Sequence, residues 1–166
     1  MNGISNAGRP FGGGPPLIAK DAVAAIILCE DGRYLLQLRD DTPEIWFPAH
    51  WGLFGGAIDP GEEPFAALQR ELREELRLDV RSARRFVQFE FDLRELGQGR
   101  VWRAYYTIQT TAEERRSLRL GEGVAMKTLL PEEIFGKLRL VPYDAFALWL
   151  HADRSRFTAS EVCGRS

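Results

Sequence analysis

The chain has 166 residues, the size of one domain with tails, and its 45% apolar and 28% charged residues are an ordinary globular balance. Lys and Arg number 22 against 24 Asp and Glu, a formal charge of −2, which argues against a protein that coats nucleic acid by bulk positive charge. The longest apolar run, Ala22 to Cys29, falls far short of the roughly 20 residues a membrane helix needs.

Residues 1–20 hold five Gly and three Pro, a composition that disfavours helix and strand interiors and predicts a flexible arm. No charged segment followed by an apolar stretch opens the chain, so no secretory signal is expected. Cys29 and Cys163 form neither a zinc spacing nor a disulfide framework. The expectation is a soluble, cytoplasmic protein with a domain over 21–155 and a polar tail over 156–166. Ala22–Cys29 reads as a buried strand, Glu30-Asp31-Gly32 as a turn and Arg33–Arg39 as the returning strand of a hairpin. A loop rich in acids, prolines and aromatics follows from Asp40 to His50.

Gly55, Gly56, Pro60 and Gly61 then crowd into seven residues and predict a tight backbone turn. A helix is expected after it, with Glu63 as cap, Pro64 at the first helical position and no breaker from Phe65 to Leu76. At about 100° per residue, Phe65, Leu68, Leu72 and Leu76 form an apolar stripe. Glu71, Glu74 and Glu75 share an arc of about 100° beside it, and Arg70, Arg73 and Arg77 take the far side. Like charges one turn apart repel by roughly 0.2–0.5 kcal/mol per pair. Bound divalent cations would offset that repulsion, because Mg²⁺ takes hard oxygen ligands. Glu71 and Glu75 could grip one metal, and Glu74 a second metal or a water. The bland alternative is a solvated helix face with local pairs such as Arg70–Glu74 and Glu74–Arg77.

Downstream, Val87, Phe89, Phe91 and Leu93 alternate with Gln88, Glu90 and Asp92, a half-buried strand. Leu96–Gly99 supplies a turn and Val101–Gln109 the β partner. Pro131-Glu132-Glu133 starts a short helix. Pro142 opens a longer one, in which Tyr143, Phe146, Ala147 and Leu150 fall at helical spacing. His151 lies near the end of that helix, on a surface, with no assigned role. The nineteen arginines are spread along the chain, which favours a solvated surface over a nucleic-acid groove.

The segment from Gly56 to Leu78 closely resembles the Nudix hydrolase signature, G-x5-E-x7-R-E-U-x-E-E-x-G-U with U a bulky aliphatic residue. Gly56, Glu62, Arg70, Glu71, Leu72, Glu74, Glu75 and Leu78 fall in register. Arg77 stands where the pattern has its last glycine. Trp51–Gly56 before the box, and Leu120–Gly123 with Pro131-Glu132-Glu133 after it, are similar to the family's flanks.

The resemblance implies an α/β/α sandwich around a mixed sheet. It also implies Mg²⁺- or Mn²⁺-dependent attack of water on a nucleoside diphosphate linked to further phosphate or a sugar. By that analogy Glu71 and Glu75 are metal ligands, joined by Glu74 and the Gly55 carbonyl. Arg70 is an orienting ion-pair partner, Glu62 fixes the loop behind Gly56, and Glu122 is a further ligand or the general base. Trp46, Phe47 and Trp51 are candidates to stack a nucleobase and His50 to touch substrate, with packing as the alternative for each. Arginine at position 77 predicts an altered helix end, longer by up to one turn. The implied partner is a small-molecule nucleotide, with no nucleic-acid polymer and no membrane. A homodimer stays open, as does a Nudix-fold module that binds a nucleotide or nucleotide sugar without hydrolysing it.

Overall fold

Ala22–Cys29 forms strand β1, and seven of its eight residues are buried. A strand reads as an unbroken apolar run when both of its faces are covered, and β1 is such a strand. In the computed structural model, which describes residues 17–157, Val23, Ala25 and Ile27 face one core cluster, and Ala24 and Ile26 face the other. The arm expected over 1–20 and the tail over 156–166, Cys163 included, lie outside the described residues apart from 17–20 and 156–157. Those first described residues are tied down: the Gln98 side chain donates to the Leu17 carbonyl at 3.0 Å and accepts from Ala19 N–H at 3.1 Å.

Six strands make one mixed sheet. β1 runs parallel to β5 (Arg100–Thr110) over all of its residues, from Ala22 beside Arg103 to Cys29 beside Thr110. β4 (Arg84–Asp92) pairs antiparallel with β5 on the outer side. The expected hairpin from β1 to β2 (Tyr34–Leu38) is short, with only Ile27–Leu35 and Leu28–Tyr34 in register. The longer partner of β2 is β6 (Ala125–Leu129), on its opposite edge. β3 (Trp51–Gly52) pairs with the end of β2. The chain beyond β3 passes to β1, where Ala25 N–H donates to Phe54 O and Val23 N–H to Gly56 O, both at 2.9 Å. The glycine turn is thereby laced to the central strand.

Helix α1 (Pro64–Leu76) covers one face of the sheet with Ala67, Leu68, Leu72 and Leu76, all fully buried. Glu63 stands at its N-cap, but its side chain makes no capping bond. The short helix α2 (Ala112–Ser117) follows β5, and α3 (Pro131–Lys137) and α4 (Pro142–Ala152) cover the opposite face through Ile134, Ala147 and Leu148. Sheet and helices make the α/β/α sandwich.

Two expectations are corrected. Helix α1 is not extended: Arg77 takes the left-handed conformation itself, φ 56° and ψ 32°, and closes the helix at Leu76. Its N–H donates to Arg73 O and that of Leu78 turns back to Leu72 O, both at 3.1 Å. His151 is not a surface residue either. It is buried, in contact with the Tyr34 hydroxyl at 2.9 Å and edge-on to Phe86, because the face of α4 that carries it packs on the sheet. Among the described residues no helix is long and apolar enough to cross a membrane.

Candidate active site

Burial separates the three helical glutamates. Glu75 is 6% exposed, and both of its oxygens are held: Gly55 N–H donates to Oε2 at 2.8 Å and Gln37 Nε2 to Oε1 at 3.2 Å. Desolvation pushes its pKa up to about 7, the two hydrogen bonds oppose the rise, and the charges of Glu71 and Glu122 add to it. Glu71 is raised too, by burial first, with Arg70 pulling down and Glu74 and Glu122 pushing up. Glu74 is more than half exposed. A face merely solvated would show none of this. Two carboxylates are held at low exposure with too little positive charge to balance them.

Arg70 supplies what compensation there is. The wheel put it on the outer face of α1, yet its guanidinium reaches back over the turn. It donates to both oxygens of Glu62 at 3.0 and 2.9 Å, to Glu71 Oε1 at 2.7 Å and to the Ala57 carbonyl at 3.0 Å. Glu62 also accepts from Asp59 N–H at 3.1 Å, so this acid ties the turn to Arg70, which in turn contacts Glu71. The Glu62 carboxyl is held below its usual range, chiefly by its bonds to Arg70.

Gly55 is required on contact grounds, and Gly56 leaves room for the Glu71 carboxylate. Gly55 has φ +130°, and a Cβ there would stand 2.3 Å from Val23 O; at Gly56 a Cβ would meet the Glu71 carboxylate at 2.5 Å. Backbone and carboxylates thus approach closely only because both side chains are hydrogen. Glu122 arrives from another direction. Gly121 N–H donates to Glu75 O at 2.7 Å and Arg119 N–H to Leu76 O at 3.0 Å, so the loop before β6 caps the open carbonyl end of α1. This docking brings the exposed Glu122 close enough for its charge to be felt at Glu71 and Glu75.

Beside Gly55 and Gly56 opens a cleft of about 350 Å³, with Trp46, Phe47, Phe91, Trp102 and Tyr143 among its walls. Trp46 and Phe47 line this cleft, and Phe47 also packs edge-on against His50 and Tyr143. Trp51 packs with the core on the α3–α4 side and bridges to Leu140. His50 is buried with Nδ1 2.6 Å from the Pro48 carbonyl. Neither residue is among those lining the cleft.

The sequence reading missed three polar groups behind these surfaces. Gln37 supports Glu75. Asp144 on α4 accepts from Leu53 N–H at 3.0 Å and from the Tyr105 hydroxyl at 3.2 Å, and faces Arg103 Nε at 3.3 Å. A signal existed for two of them. Alternation places Gln37 on the core face with Leu35, and Arg103 on the core face with Tyr105, and a polar side chain at a core position needs a partner or a purpose.

Among the described residues no three Asp, Glu, His or Cys side chains converge into a ready cage. Glu71 and Glu75 offer hard carboxylate oxygens, the ligand type that Mg²⁺-like ions take.

The family model of the NUDIX domain matches residues 19–159, which takes in the turn, α1, the Glu122 loop and the whole sheet. The chain belongs to the Nudix family. Among curated relatives, the nucleoside triphosphatase NudI of Escherichia coli O1:K1 is 46% identical over 50 residues, 30% of this chain and 35% of that protein. The matched stretch thus spans about a third of that relative's length. Among solved structures, the MutT protein of Methanosarcina mazei Go1 superposes with a TM-score of 0.68 at 22% identity, covering 87% of this chain and all of the other. The E. coli ORF135 protein gives 0.66 at 26% identity, over 89% of this chain and 100% of its own. The NUDIX domain of Shewanella oneidensis NrtR, solved with ADP ribose, gives 0.63 at 20% identity, over 84% and 90%. The Nudix sandwich expected from the signature is the fold found.

Proposed function

We propose that this Nudix protein is a divalent-metal-dependent pyrophosphohydrolase, in which water attacks a nucleoside diphosphate joined to further phosphate or to a sugar. The burial of Glu75 and Glu71, with proton affinity raised in both, carries the reading, since a bound cation would discharge that anionic pair. Glu71 and Glu75, with Glu74 and the Gly55 carbonyl, would hold Mg²⁺ or Mn²⁺. Such an ion, when bound, supplies neutralisation of the diphosphate oxygens and a more acidic water. Arg70 keeps Glu71 turned toward the site, and Gln37 with Gly55 N–H keeps Glu75 from rotating. Glu122, whose loop is open to solvent, would accept the proton of the attacking water, with Glu74 on α1 as the alternative.

Local identity to a protein named as a nucleoside triphosphatase favours triphosphates within the substrate class. The rival reading, a module that binds without hydrolysing, draws on the departure from the signature at Arg77. Arg77 closes α1 in the left-handed conformation a glycine would take, which favours the hydrolase reading.

A hydrolysis screen with Mg²⁺ and Mn²⁺ should run over nucleoside triphosphates, oxidised nucleotides, nucleotide sugars and dinucleoside polyphosphates. It is expected to show turnover that falls by about 100-fold or more in Glu75→Gln, on the scale of losing groups that hold a metal. Turnover like that of the unmodified protein in this variant would remove the site assignment. Nucleotide binding without product under either metal would favour the module instead.

A further inference from the structure

We propose that Arg103 determines specificity in the cleft by reading the acceptor edge of a 6-oxopurine ring. The inference rests on the nucleotide reading above and names the base. The cleft has aromatic walls suited to a flat ring, Trp46 and Trp102 among them, and it meets the carboxylate site at Gly55 and Gly56. Arg103 lines the same cleft, so a nucleotide whose phosphates lie at that glycine edge can bring its base to it.

Arg103 is unlike the other cations of the cleft. Lys20 is exposed, and Arg39 donates to the Trp46 carbonyl at 3.1 Å. The Arg103 side chain is only 12% exposed. Its guanidinium carbon lies 4.9 Å from the Tyr143 ring centre and 5.7 Å from that of Tyr105. Its Nε faces Asp144 Oδ1 at 3.3 Å yet makes no hydrogen bond. The Tyr105 side chain is a hydrogen-bond partner of the group. Ring faces, the Asp144 charge and the Tyr105 side chain hold the guanidinium, and Nε is left as a donor without a partner.

Asp144 decides what that donor is for. It is buried and already balances the arginine's charge, so the pair has little call for a second anion such as phosphate or carboxylate. What is unmet is hydrogen bonding at Nε, and that selects a neutral acceptor. A planar fork of N–H groups matches two adjacent acceptors on a ring edge, as in O6 and N7 of a 6-oxopurine. A 6-aminopurine presents a donor in place of O6, against the fork, and leaves a buried donor unpaired.

Inosine and adenosine triphosphates differ at that edge and test the point. Quenching of tryptophan fluorescence gives affinity, since Trp46 and Trp102 line the cleft, and product release with Mg²⁺ gives kcat/KM. ITP is expected to exceed ATP by at least about tenfold in both. The UTP to CTP ratio should be smaller, because a pyrimidine offers one acceptor on that edge. Arg103→Lys keeps the charge opposite Asp144 and removes the fork, so the ITP preference should shrink to within about twofold through weaker ITP binding. Equal affinity for ITP and ATP in the unmodified protein would overturn the proposal whether or not the variant folds. A UTP to CTP ratio above the purine ratio, or equal losses for ITP and ATP in Arg103→Lys, would overturn it too. An ITP preference in binding with no hydrolysis would sink the hydrolase reading alone, and hydrolysis without preference would sink this one alone.

Discussion

Arg77 closes α1 in a conformation that costs a side-chain-bearing residue about 1 kcal/mol, with φ 56°. The chain tolerates the cost because the following residues are already committed: Leu78 N–H returns to Leu72 O and the Arg119–Gly121 segment covers the helix's last carbonyls. Arg77→Gly is expected to raise unfolding stability by about 0.5–1 kcal/mol in a urea titration, with hydrolytic activity unchanged, because the side chain is exposed and touches no carboxylate of the site. No gain in stability would mean that the left-handed turn is relaxed by contacts elsewhere. Glu75 illustrates the opposite balance at the same scale. The signature named it, but burial beside Gln37 makes its charge expensive, and that feature lies three-dimensionally far from anything a spacing rule contains.

Among the elements, the loop before β6 has the largest effect on the site for its size. Gly121 fits against α1 so closely that a Cβ would stand 2.2 Å from the Glu74 carbonyl. Gly121→Ala should therefore push the loop outward, carry Glu122 away from Glu71 and Glu75, and lower kcat by about tenfold or more while the far-ultraviolet circular dichroism stays unchanged. A variant with full kcat would detach Glu122 from the chemistry. On the opposite face, α4 buries His151, and desolvation lowers its pKa from 6.5 to about 4, with the charges of Arg154 and Arg84 adding to the shift. The folded state then binds fewer protons than the unfolded state between those two values. Stability should be unaffected by this group above pH 6.5 and fall as the pH drops from 6.5 toward 4. Thermal midpoints measured across that window should decline less steeply in His151→Gln; parallel curves would place the acid sensitivity elsewhere. α1, β1, β4, β5 and α4 were legible as elements because each carries a clean period or an uninterrupted apolar run. β3, α2 and β6 were not: they are short, and pairing with β2 rather than local pattern makes strands of Trp51–Gly52 and Ala125–Leu129.

At the scale of the whole molecule, the near-neutral total of −2 conceals an uneven distribution. The acids cluster where α1, the glycine turn and the Glu122 loop converge, and the cleft beside them carries Lys20, Arg39 and Arg103. A cation that binds this folded arrangement and not the open chain must stabilise it by mass action. Adding Mg²⁺ or Mn²⁺ to protein stripped with a chelator should raise the thermal midpoint by about 2–4 °C or more near neutral pH, and the rise should vanish in Glu75→Gln. An equal rise in both proteins would place the ion somewhere else.

The sequence alone determined the family, the turn, the helix and the identity of its acids, because those depend on residue type at fixed local spacing. It also determined that β1 is covered on both sides. Only the tertiary structure decided which glutamates are buried, that Arg70 reaches back across the turn, and that Gln37 and Asp144 stand behind the site. It likewise turned His151 inward and left the donors of Arg103 beside an aromatic cleft. Those outcomes depend on dielectric surroundings and on which strand or loop lies opposite, and neither is set until residues far apart in the chain are packed together.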